Sequence, residues 1–104
     1  VRDLSQGQRK LVDVAIAMAF RPKLLLLDEP TSGVSSEEKH DIIKKILEIQ
    51  KSLEDTTILM VEHDFDIVRY ADQVFVMNFG KIIAKGSYKE VIFENEYIKN
   101  ILGM

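Results

Sequence analysis

Asp28 and Glu29 stand side by side, after the apolar run Leu24-Leu25-Leu26-Leu27 and before Pro30. An apolar run that ends in acid groups is how a buried parallel strand delivers carboxylates to a site at its carboxyl end. Neighbours on a strand point to opposite faces, but the chain turns at a strand end and both groups can reach one pocket. Phosphoryl transfer to water needs a cation across the terminal phosphates and a group that orients the attacking water. Asp28 suits the metal, directly or through a water ligand, and Glu29 suits the water. A lone Asp-Glu pair is ordinarily a solvated strand end. Four leucines before it and a proline after it favour the chemical reading.

A second group lies upstream, in Leu4-Ser5-Gln6-Gly7-Gln8. Ser5 offers a hydroxyl, Gly7 allows close backbone approach, and a helix amino end attracts negative charge. Taken alone, such a loop is an ordinary capped helix start. His63 follows a second apolar stretch, in Val61-Glu62-His63-Asp64. If the two stretches are neighbouring parallel strands, His63 stands near Asp28 and Glu29, where it can donate to a phosphate oxygen or a backbone carbonyl. His40 falls on the polar face of a long helix and reads as a solvated side chain.

The elements that must position these groups follow from periodicity. Ser5 caps a helix running to about Phe20, with Val12, Ala15, Ile16, Ala19 and Phe20 as its apolar face. Val14, Ala17 and Met18 make it apolar nearly all round, which predicts burial on several sides. Arg21-Pro22-Lys23 stops it. Leu24 to Asp28 is too short for a helix, is bounded by Pro22 and Pro30, and reads as strand. A second helix runs from Ser36 to about Leu53 on a stripe of Ile42, Ile43, Ile46, Leu47, Ile49 and Leu53, with capping-box spacing between Ser35 and Glu38. Thr57 to Val61 is a second strand. Asp64 caps a short helix, and Val74 to Met77 and Lys81 to Lys85 form a hairpin about Asn78-Phe79-Gly80-Lys81. Ser87 and Glu90 have capping-box spacing before another short helix, and a last helix covers about Asn95 to Leu102. Alternating strands and helices predict an α/β fold with a mainly parallel sheet.

The length fits one small domain, and 46% apolar residues are enough for a core. With 14 basic and 17 acidic residues the net charge is −3, so nothing electrostatic calls for a nucleic-acid partner. Without cysteine, disulfides and thiolate metal sites are excluded. No apolar stretch is long enough to cross a bilayer as a helix. No glycine-rich phosphate loop ending in Lys-Ser/Thr is present, and the start at Val1-Arg2-Asp3 reads as an interior cut.

In this order the motifs resemble the C-terminal half of the nucleotide-binding domain of ABC transporters, over nearly the whole chain. Leu4 to Gln8 resembles the signature loop, with Gln6 where Gly is commoner. Leu24 to Glu29 resembles the Walker B strand with its catalytic glutamate. Ser32, Gly33, Val34 and Ser35 resemble the D-loop, and His63 the switch histidine. Ser35 stands where the D-loop commonly has Asp, and helix capping is its better-supported role. The resemblance implies the later portion of a P-loop NTPase (RecA-like) three-layer fold, ending in a hairpin and short helices. It implies ATP and Mg²⁺, with Asp28 on the metal, Glu29 polarising the attacking water and His63 at the γ-phosphate. It implies that Ser5, Gln6, Gly7 and Gln8 close over ATP held by a second ATPase subunit in a head-to-tail dimer.

The wider partners so implied are transmembrane permease subunits, at the cytoplasmic face of the cell membrane. Val61 to Gly86 and the ending Ile101-Leu102-Gly103 resemble ATPases of branched-chain amino-acid importers, which adds a substrate-binding protein. Two alternatives stand beside this. One is the C-terminal lobe of a DNA-repair or chromosome-structuring ATPase of the same superfamily; the other is a truncated, non-catalytic product. The resemblance also places the absent phosphate-loop strand between the strand ending at Val61 and the one ending near Met77. Residues 1–104 therefore read as one partial ATPase domain with a gap in its sheet, inactive alone and prone to self-association.

Overall fold

The computed structural model describes residues 4–103; the reading of Val1-Arg2-Asp3 as an interior start lies outside them. The chain divides into two compact units, Val1–His63 and Asp64–Met104.

The first unit runs α1 (Gln6–Ala19), β1 (Leu24–Asp28), α2 (Ser36–Ser52) and β2 (Thr57–Val61). Ser5 closes a full capping box on α1. Its Oγ accepts from Gln8 N at 3.1 Å, and Gln8 Oε1 accepts from Ser5 N at 2.9 Å. At the other end Arg21 turns into the left-handed region (φ 51°) before Pro22, which ends the helix. α1 packs on α2. The face it buries is Gly7, Val14 and Met18, with Leu11 half-buried, at i, i+4 and i+3 spacings. The expected face is the other one. Val12, Ile16 and Phe20 are exposed, Phe20 at 83%. Gly7 explains the choice: an added Cβ there would lie 3.0 Å from Ile42 Cδ1, so the glycine lets the first turns of the two helices approach closely.

β1 and β2 pair in parallel, in the register Leu24↔Thr57 to Asp28↔Val61. Flanking backbone bonds lengthen the ladder at both ends, Thr57 N to Lys23 O and Glu29 N to Val61 O, each 2.8 Å. Thr56 Oγ1 also donates to Pro22 O at 2.6 Å. Burial on both faces was the expectation for these strands. Leu25 is buried and Leu27, Ile58 and Met60 are half-buried, but the alternate positions Leu24, Leu26, Leu59 and Val61 are exposed. Only one face of this pair is covered.

The second unit runs α3 (Phe65–Val68), β3 (Val74–Asn78), β4 (Lys81–Gly86), a π-helical turn (Lys89–Phe93) and α4 (Glu96–Leu102). β3 and β4 are antiparallel with a bulge at Val76/Met77. Phe79 and Gly80 both have positive φ, 49° and 77°, the left-handed pair that a two-residue hairpin loop matching strand twist requires. The core is Val74, Val76, Val91, Ile92 and Ile98. The expected short helix after Ser87 is instead π-helical, closed by Glu94 N to Lys89 O at 2.9 Å. The fold is α/β, and among the described residues parallel pairing is confined to β1 and β2. Within the first unit β1 and β2 make a two-stranded sheet, and within the second β3 and β4 make another.

The Ser87–Glu90 box is complete: Glu90 N donates to Ser87 Oγ at 3.2 Å and Ser87 N to Glu90 Oε1 at 3.3 Å. The Ser87 hydroxyl, then its backbone N–H, hold the Glu90 carboxyl below its ordinary 4.5. A lowered carboxylate value stabilises the fold above that ordinary value, and the contribution fades as pH falls through the folded one. Ser87→Ala will therefore lower the denaturation midpoint by a margin that is constant above the ordinary value and narrows below it. Urea titrations at a series of pH values measure this.

Candidate active site

The two exits of the parallel pair bring the chemistry together. Glu29 takes φ 48°, which for a residue with a Cβ costs roughly 1–2 kcal/mol. Two backbone bonds hold it there, its N–H to Val61 O at 2.8 Å and Ser32 N to its own carbonyl at 3.1 Å. This turn breaks the alternation of the strand and sends the carboxylate across to the exit of β2. There Glu29 Oε1 lies 2.6 Å from His63 Nε2, with the side chains 39% and 81% exposed. With both ring nitrogens protonated the contact is an ion pair; with one, a hydrogen bond donated by Nε2. Asp28 ends β1 and is exposed. Among the described residues no group of three or more acidic or histidine side chains is placed to hold a metal ion. A single exposed carboxylate suits Mg²⁺, which takes one or two carboxylates and completes its shell with phosphate oxygens and water.

Leu4 to Gln8 and the Ser32–Ser35 turn meet each other. Gly33 has φ 76°, and an added Cβ there would lie 2.9 Å from Gln6 Oε1. Gly7, read as a point of close approach for a ligand, is buried against α2, with the Glu38 carboxylate beside it. Val34 is buried. Ser35 caps α2, its Oγ accepting from Glu38 N at 3.3 Å. The reciprocal half of that box is not made. Glu38 Oε2 instead accepts from Ser5 Oγ at 3.4 Å, so α2 supports the loop that opens α1.

One contact was not read from the sequence. Thr31, 1% exposed, gives Glu62 Oε1 two hydrogen bonds, from Oγ1 at 2.9 Å and from N at 3.3 Å. The available signal was an acid directly before His63 and a hydroxyl directly after Pro30, at two strand ends already paired.

An acid-tipped strand beside a parallel neighbour whose exit supplies a histidine is the arrangement of the P-loop NTPase cassette. A nucleotide-free ATP-binding cassette from an ABC transporter superposes with TM-score 0.80 at 35% identity, over 95% of this chain and 40% of its own. The structure of cbiO1 from Clostridium perfringens, described as part of the ABC transporter complex cbiONQ, gives 0.81 at 44% identity, over 96% and 40%. In sequence, the ABC transporter family profile matches residues 1–32. The energy-coupling factor transporter ATP-binding protein EcfA2 of Clostridium perfringens is 44% identical over 99 residues, 94% of this chain and 34% of the relative. Its namesake in Caldanaerobacter subterraneus is 43% identical over 99 residues, 95% of this chain and 35% of the relative. The chain thus corresponds to part of an ABC transporter ATPase domain, and it spans about a third of the length of these curated relatives. The branched-chain importer resemblance finds no support in them, since they carry energy-coupling factor names.

Proposed function

We propose that this chain is a part of an ABC transporter ATP-binding subunit, of the energy-coupling factor kind, that carries the signature loop, the acid-tipped strand and the switch histidine. The 2.6 Å contact of Glu29 with His63 beside Asp28 carries the reading, in a chain 44% identical to a named transporter ATPase. Glu29 orients the attacking water and takes its proton as the bond from the γ-phosphorus to the leaving ADP oxygen breaks. His63 holds a γ-phosphate oxygen. Asp28 would hold Mg²⁺, which would supply positive charge to offset that of the phosphates. Ser5, Gln6, Gly7 and Gln8 serve a nucleotide on a second ATPase subunit. Membrane-spanning subunits complete the complex and hold this one at the cytoplasmic face. No helix among the described residues is itself long and apolar enough to cross a membrane.

Most triphosphate affinity in such a site comes from the backbone N–H groups and lysine of a phosphate loop, which these 104 residues lack. The chain by itself will therefore show no Mg-ATP turnover in a phosphate-release assay, and the complete subunit bearing it will. Turnover by the 104-residue chain that Glu29→Gln abolishes would refute the division of labour. A complete subunit without turnover would refute the function.

A further inference from the structure

His63 is largely solvent-exposed, and packing does not hold its ring against Glu29. Its place is set by the backbone that carries it. On one side of the pair that backbone is fixed by the ladder bond Glu29 N to Val61 O. On the other side, Glu62, directly before His63, is tied to Thr31, two residues after Glu29. Both Thr31 donors converge on Glu62 Oε1, at 2.9 and 3.3 Å. Thr31 and Pro30 are buried, so the loop that Glu62 grips is not free to shift.

We propose that Glu62 is a positioning residue, whose grip on Thr31 locks the exits of β1 and β2 together and holds Glu29 and His63 in register for hydrolysis. The proposal rests on the reading of those two residues as the hydrolytic pair. The clamp needs an acceptor oxygen at position 62, not a charge, so an amide that keeps Oε1 preserves it. It also acts on the geometry of the reacting groups rather than on nucleotide affinity, which lies mainly with a phosphate loop. Misplacement of such groups by an ångström costs up to about a hundredfold in rate.

The test is steady-state Mg-ATP hydrolysis by the complete subunit bearing this sequence, with Glu62→Ala, Glu62→Gln and Thr31→Ser. Glu62→Ala is expected to lower kcat roughly ten- to hundredfold with KM for ATP within about twofold of wild type. Glu62→Gln and Thr31→Ser, which keep both hydrogen-bonding atoms, are expected to stay near the wild-type kcat. Unchanged kcat in Glu62→Ala, a Glu62→Gln as impaired as Glu62→Ala, or a loss carried by KM would each overturn the clamp. A second readout needs no nucleotide: the His63 ring proton resonances in the chain as it stands. Glu62→Ala should move them in the direction that Glu29→Ala does, and Glu62→Gln should not. If the complete subunit proves inactive, the functional reading fails and these resonances decide the clamp by themselves. Signals in Glu62→Ala that match wild type would overturn it.

Discussion

Glu29→Gln in the complete subunit will slow Mg-ATP hydrolysis by at least about a hundredfold, within the range that loss of a positioned general base costs. Nucleotide binding will persist. The substitution conserves volume and leaves Oε1 able to accept from His63, so the 2.6 Å contact has a neutral counterpart. The left-handed backbone at residue 29 and its bond to Val61 O do not depend on the side-chain charge. What disappears is the capacity to accept a proton from water. Phosphate release under saturating Mg-ATP measures the first effect and equilibrium nucleotide binding the second. A Glu29→Gln subunit that keeps a third of its activity would move the base elsewhere. His63→Ala, by contrast, removes a partner of Glu29 and the proposed phosphate contact but leaves the proposed base, so its loss will be smaller.

The meeting of Glu29 with His63 was legible because sequence distance and spatial distance are linked there by one simple rule. Pro22 and Pro30 bound the Leu24–Asp28 strand, and the β-branched start of Thr57–Val61 marks its neighbour. Once two such strands are parallel, Glu29 and His63 must lie at the same end, and they do. Helix starts were legible for a similar reason, because Ser5, Ser35, Asp64 and Asn95 act on backbone within three residues. What escaped is set by side-chain choices among near-equal local options. α1 carries apolar residues on two arcs, and the sequence does not rank them. The small Gly7 decides, because only that arc admits Ile42 so closely. Glu38 has capping-box spacing from Ser35 yet turns to Ser5, a partner 33 residues away. The grip of Glu62 on Thr31 spans 31 residues and no motif announces it. The π-helical turn after Ser87 shares its capping signal with an α-helix, and the difference lies in hydrogen bonds further along.

The chain as it stands will self-associate reversibly, and the uncovered face of the β1–β2 pair will be the reason. Parallel sheets in α/β folds are ordinarily covered on both faces. Here Leu24, Leu26, Leu59 and Val61 share one face and are each more than half exposed. Completing the burial of four such half-exposed side chains is worth about 4 kcal/mol. That is the free energy of a roughly millimolar Kd, before ordering costs are subtracted. The apolar face alone therefore gives weak association. The backbone supplies a further term. A two-stranded sheet has an unpaired edge on each strand, and strand edges template pairing with another chain. A second copy laying its own strand along β2 satisfies those groups, and a copy stacked on the open face buries Leu24, Leu26, Leu59 and Val61. Sedimentation velocity over a range of concentrations will show a rising average mass. Leu26→Lys with Leu59→Lys will return the chain to monomer while its circular dichroism is unchanged, because both side chains already lie mostly in solvent, at 65% and 52% exposure. A chain that stays monomeric at every concentration would show that neither the open face nor the strand edges suffice. A double variant that still associates would place the contact on the edge alone.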